Sequence, residues 1–178
     1  MSVPETDRID LIRAQWSRER PDLESKGFAI GGRLLVLGKL LERRVSDALA
    51  PLGLSLWAFD VLATLRRQGP PYHLTPTELS RAAMLTTGAM TNRLDRLEAE
   101  GWLRREADPD DRRGLRVMLT KSGLEIVDRA IAARLQEAES AAATLTPGER
   151  KVFEKLLRKM MVALDPNPPS PRSSASAS

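Results

Sequence analysis

Residues Leu74 to Thr120, LTPTELSRAAMLTTGAMTNRLDRLEAEGWLRREADPDDRRGLRVMLT, carry two short helical patterns followed by two short strand patterns around an arginine-rich loop. The first helix has a marked start. Thr75 is placed to cap it, Pro76 fits the first helical position at no cost in hydrogen bonds, and Glu78 completes a capping box. The pattern ends near Ala83, and Met84 and Leu85 make a tight apolar turn. Thr86 or Thr87 caps a second helix, which stops at Gly101, where a left-handed residue is wanted. Met90, Leu94 and Leu97 recur at i, i+4 and i+7 and give this helix one buried stripe. Trp102 and Leu103 open a strand, and the alternation Leu115, Val117, Leu119 reads as its partner. This order spells a winged helix-turn-helix.

The side of the second helix away from its stripe carries Gly88, Asn92 and Asp95, with Thr91 and Arg96 on the flanks. Small and hydrogen-bonding groups therefore project where a major groove would lie. Thr91 and Asn92 are placed to reach base edges, and Thr86, Thr87 and Arg96 to reach phosphates. The hairpin tip, Asp108-Pro109-Asp110-Asp111-Arg112-Arg113-Gly114, sets two adjacent guanidinium groups on a turn-forming segment. A narrow, electronegative minor groove attracts such a tip.

Asp111-Arg112-Arg113 followed by Leu119-Thr120 matches the wing signature D-x-R-x(5)-L-T, and on these residues the chain resembles the MarR family of bacterial transcription regulators. The resemblance is sharp over the winged lobe and looser over Asp7 to Leu164. It implies a homodimer that binds double-stranded DNA at a pseudo-palindromic operator, with Arg113 in the minor groove and Asp111 orienting it. The plain alternative for these two residues is a solvated hairpin tip with a surface ion pair.

Composition bounds the reading further. A chain of 178 residues with 42% apolar content suffices for one ordinary domain. Only 4% of residues are aromatic, and the dominance of Leu, Ala, Arg and Glu suits helices. The net charge of +4 is compatible with a polyanionic partner. Between Thr86 and Arg116, however, seven arginines face seven acids, so DNA binding rests on motif geometry and not on bulk charge. The absence of cysteine excludes a disulfide, a thiol nucleophile, a zinc-thiolate site and a thiol oxidation sensor; within the resembled family it removes the peroxide-sensing branch. The sole histidine, His73, reads as a loop residue in a proline-rich turn, so neither metal nor cofactor is expected. No apolar run has the length of a membrane span or of a leader, and the expected compartment is the cytoplasm.

Outside the lobe, Ile9, Ile12 and Trp16 make a first amphipathic helix, closed by Pro21. A second, from about 29 to 50, carries Leu34, Leu37, Leu41, Val45 and Leu49. Ser55 caps a third, holding Trp57, Val61 and Leu65. Thr120 caps a long helix to about Thr144 with the stripe Leu124, Val127, Ile131, Leu135 and Ala138. Thr146-Pro147-Gly148-Glu149 opens a last helix, and a Pro- and Ser-rich stretch from Asp165 reads as a disordered tail. The fold class expected is mainly α with a small β wing: residues 1–164 form one domain, with helices about 5–50 and 121–164 serving dimerisation and the winged lobe at about 55–120. The first and last helices carry more apolar surface than a small lobe covers, and a second copy of the chain would bury it.

The N-terminal helix with Trp16 resembles the urate-responsive subgroup of the same family. The four positions that carry the resemblance are Trp16, Asp60 in Trp57-Ala58-Phe59-Asp60, Arg93 on the recognition helix, and Arg105 on the first wing strand. At ~100° per residue Arg93 lies about 70° from the centre of its helix's apolar stripe, so it does not point straight at DNA. A planar purine anion needs an aromatic wall, a guanidinium and an acceptor for ring N–H groups, the functions of Trp16, Arg105 and Asp60; Arg93 is then the coupling residue. The ordinary alternatives are Trp16 as a packing anchor, Asp60 and Arg93 as an ion pair, and Arg105 as a solvated strand charge; another purine or a phenolic anion serves equally as ligand. The favoured function is a ligand-responsive repressor, and the alternative an effector-independent or architectural DNA-binding protein. Without a glycine-rich phosphate loop or a nucleophile elbow, the sequence has no parts for an enzyme.

Overall fold

The computed structural model describes residues 6–83, 87–108 and 114–165. The turn at Met84 and Leu85, the Thr86 cap, the wing tip with Asp111, Arg112 and Arg113, and the tail from residue 166 lie outside the described residues. The elements follow the order α1 (Arg8–Glu19), α2 (Lys26–Leu49), a 3-10 turn (Ala50–Leu52), α3 (Leu56–Arg66), β1 (His73–Leu74), α4 (Pro76–Ala82), α5 (Thr87–Ala99), β2 (Leu103–Ala107), β3 (Leu115–Leu119), α6 (Lys121–Ala142) and α7 (Pro147–Leu164). The chain is mainly helical with a small antiparallel sheet, as its sequence implies. It divides into two compact units, one ending at Glu137 and the other beginning at Ala138.

Local chemistry sets the helix ends. Thr75 and Thr146 each accept a hydrogen bond from the third residue of their helix, and Glu78 and Glu149 reach back to the cap. Asp7 and Asp10 form a third such box at α1. Ser55 caps α3 by accepting from the Ala58 amide, and the Thr120 hydroxyl accepts from Gly123 at the start of α6. α5 stops at Gly101, whose φ of +73° lets its amide bond Glu98 and the Trp102 amide bond Leu97.

The core belongs to the winged lobe and the helix ends that abut it. Val61, Leu62 and Leu65 of α3, Leu79 of α4, Met90, Leu94 and Leu97 of α5, Leu103, Val117 and Leu119 of the sheet and Val127 of α6 are buried together with Val45 and Leu49. The stripe expected on α5 is thus the buried one.

The sheet has the order β1-β3-β2, with Leu103 opposite Leu119 and Arg105 opposite Val117. Its third strand corrects the sequence reading of His73. This histidine pairs with Met118 on β3 and is not a loop residue.

At α1, Arg33 of α2 donates from Nε to Asp7 and from Nη2 to Asp10, both at 2.7 Å, and Ile9 seats against Gly32. Beyond that seat the stripes of α1 and α2 are only partly covered: Trp16 is 54% exposed and Leu37 40%, whereas Val45 and Leu49 are buried. In the second unit, α7 buries none of its apolar residues; Val152, Leu156, Met161 and Leu164 all stand in solvent.

Candidate nucleic-acid interface and ligand site

The recognition helix α5 is held from below by Met90, Leu94 and Leu97, each almost fully buried, so the opposite side is fixed outward. Thr91, Asn92, Asp95 and Arg96 are exposed on that side. The backbone of Thr87 and Gly88 opens the helix. Behind it, Trp57 of α3 presents its ring to two guanidinium groups, Arg93 at 5.5 Å and Arg96 at 5.3 Å from the ring centre. Cations over an indole face are attracted by its quadrupole. Local periodicity places Trp57 only in an apolar stripe. Its role as a platform was missed because the arginines lie 36 and 39 positions away in the chain, beyond any local pattern.

Arg93 is half-buried, and among the described residues its Nη1 has no hydrogen-bond partner, whereas such buried donors are nearly always paired. Asp60 lies near enough for the two to act on each other electrostatically, but among the described residues they form no ion pair. Asp60 opens onto a cleft of about 370 Å³ lined by apolar Phe59, Ala63 and Ile131 and by the guanidinium groups of Arg67 and Arg134. Its carboxyl remains reachable by solvent, yet burial raises its pKa against the opposing pull of Arg67, Arg134 and Arg93. An apolar cleft with two cations and a carboxyl suits an amphipathic anion carrying N–H or O–H groups.

Trp16 and Arg105 are not among the residues lining that cleft. Trp16 stands half-exposed on α1. Arg105 is no solvated strand charge: it donates from Nε to Glu98 at 2.8 Å and from Nη2 to both Asp95 and Glu98. At the base of the wing, Arg116 pairs with Asp108 at 2.8 Å, and the Asp108 amide bonds Gly114 across the hairpin.

A model of the MarR family matches residues 52–114. Over 151 residues, covering 85% of this chain and 90% of the relative, the chain is 34% identical to the HTH-type transcriptional regulator PecS of Dickeya dadantii. It belongs to the MarR family of transcriptional regulators. Members of this family are DNA-binding proteins and not enzymes. A mutant MarR of Escherichia coli solved with operator DNA superposes with a TM-score of 0.67 at 27% identity, covering 82% of this chain and 97% of that one. A MarR family protein of Mycobacterium tuberculosis solved with p-aminosalicylic acid is 35% identical, with a TM-score of 0.58, over 74% of this chain and 97% of that one. Among the described residues no single helix is long and apolar enough to cross a membrane.

Proposed function

We propose that this MarR-family regulator acts in the cytoplasm as a homodimeric repressor on a pseudo-palindromic operator, and that a small aromatic anion such as urate, a related purine or a phenolic acid releases it. The observation that carries the ligand response is Arg93. It belongs to the recognition helix, turns inward, and holds a buried nitrogen without a partner beside Trp57 and within the field of Asp60. A ligand that engages this corner acts directly on the element that reads DNA.

In this reading Thr91 and Asn92 meet base edges, and Thr86, Thr87, Gly88 and Arg96 meet the backbone. Arg112 and Arg113 enter the minor groove, with Asp111 orienting the latter. Trp16, Asp60 and Arg105 hold the anion, which draws Arg105 off Glu98 and Asp95. The mycobacterial relative solved with p-aminosalicylic acid supports an aromatic carboxylate as the ligand class. The uncovered apolar faces of α1, α2 and α7 support the homodimer, since exposed patches of this kind mark association surfaces.

One observation favours the effector-independent reading: the cleft at Asp60 has neither Trp16 nor Arg105 in its lining. A release titration separates the two. Fluorescence anisotropy of a labelled operator duplex, titrated with urate, xanthine and salicylate, should show release of DNA from the wild type with a coupling of ~1–3 kcal/mol. Asp60→Asn should weaken the ligand's effect through affinity, and Arg93→Ala should leave ligand bound but blunt release. If none of the three compounds releases DNA at millimolar concentration, the sensor reading is wrong and the effector-independent one stands.

A further inference from the structure

Two acids on the DNA-reading helix pose an electrostatic problem. Asp95 and Glu98 sit one turn apart on α5, in a segment meant to approach phosphates, and each unpaired carboxylate there works against binding. Their partner answers it. β2 is an outer strand of the sheet, so among the described residues the Arg105 amide, facing away from β3, has no strand to bond. Glu98 takes that place: Oε1 accepts the Arg105 amide at 3.0 Å while Oε2 accepts its Nε at 2.8 Å. Nη2 of the same guanidinium reaches Glu98 and Asp95.

We propose that Arg105, Glu98 and Asp95 form a clasp that fixes the wing strand β2 to the recognition helix α5, so that both acids strengthen operator binding despite their charge. Arg105 is only 26% exposed at its side chain, so the pair is better shielded than ordinary surface ion pairs. Nε and Nη2 converge on Glu98 Oε2 while Nη2 also reaches Asp95 Oδ1, so the planar guanidinium is set between two carboxylates, and its rigid donors add direction as well as attraction. The wing and the helix contact different grooves of the same duplex, and their relative angle decides whether both reach at once. A clasp at Arg105 lies at the joint between them. Arg105, Glu98 and Asp95 are thus positioning residues that act on DNA through the elements they join.

The sign of one substitution tests this. Glu98→Gln is nearly isosteric and removes a negative charge beside DNA, so simple electrostatics expects tighter binding to every duplex. The clasp expects the reverse for the operator. Binding of wild type, Glu98→Gln, Arg105→Lys and the double variant is measured on an operator duplex, selected from random DNA by the wild-type chain, and on a random-sequence duplex of equal length. All are compared at temperatures well below each variant's melting point. Operator affinity should fall at least fivefold in each single variant, the double variant should lose little more than either, and Arg105→Lys should keep the wild-type salt slope because its charge is unchanged. Unchanged or tighter operator binding by Glu98→Gln overturns the clasp, as do losses that simply add. Because the clasp rests on DNA binding by the wing and helix, failure of the wild type to select any operator would sink that reading first; the clasp alone fails when the wild type selects an operator and the variants bind it equally well.

Discussion

Trp57 holds two cations of the recognition helix against one ring, and a single substitution isolates that role. Trp57→Leu keeps the apolar filling but removes the quadrupole that attracts Arg93 and Arg96. Two such contacts at partly exposed sites contribute roughly 1–2 kcal/mol together. Operator affinity should therefore fall by about five- to thirtyfold, read by anisotropy, while the variant still melts cooperatively. Wild-type affinity would remove Trp57 from the positioning of the helix. At this scale the sequence was legible where function follows local spacing and opaque where it follows tertiary contact. The outward placement of Thr91, Asn92 and Arg96 came from helical rotation alone. The engagement of Arg105 by Glu98 did not, because seven residues and a helix end separate them and each reads separately as an ordinary surface charge.

Between elements, the junction of the winged lobe with α6 turns on Gly123. A Cβ built there would lie 1.8 Å from the Trp102 carbonyl oxygen, so the first turn of α6 packs on the backbone that closes α5. Thr120 and Ser122 both donate to the Gly101 carbonyl at the same joint, at 2.7 and 2.8 Å. Gly123→Ala forces one backbone away from the other and should destabilise by about 1–3 kcal/mol or more, seen as a thermal midpoint lowered by several degrees. By contrast Gly27→Ala, near the start of α2 with no atom within 4 Å, should be neutral or gain slightly from helix propensity. Equal midpoints for both variants would contradict the close approach. Caps and turns made most element ends readable: Thr75, Thr120, Thr146 and Gly101 all act where their chemistry points. The two-residue strand β1 escaped, since His73 and Leu74 are too few to show alternation and gain their strand character only from Met118 and Val117.

For the molecule as a whole, periodicity showed which faces are apolar but not what covers them. The periodicity of α2 makes one surface from Leu34 to Leu49, yet only Val45 and Leu49 at its end meet the core. On α6, likewise, Val127 is buried and Leu135 is 65% exposed. A pattern of 3.6 residues is the same whether its partner belongs to the same chain or to another. The second copy that we propose for these faces also sets the geometry on DNA, because two-fold symmetry in the protein demands two-fold symmetry in the site it prefers. The most direct measurement is selection of binding sites from a random duplex pool by the wild-type chain, followed by sequencing and by the mass of the complex in solution. The account predicts an inverted repeat whose half-sites lie about one helical turn, ~10–10.5 base pairs, apart, bound by two chains. Enrichment of a lone half-site bound by one chain, or of no sequence at all, would contradict it.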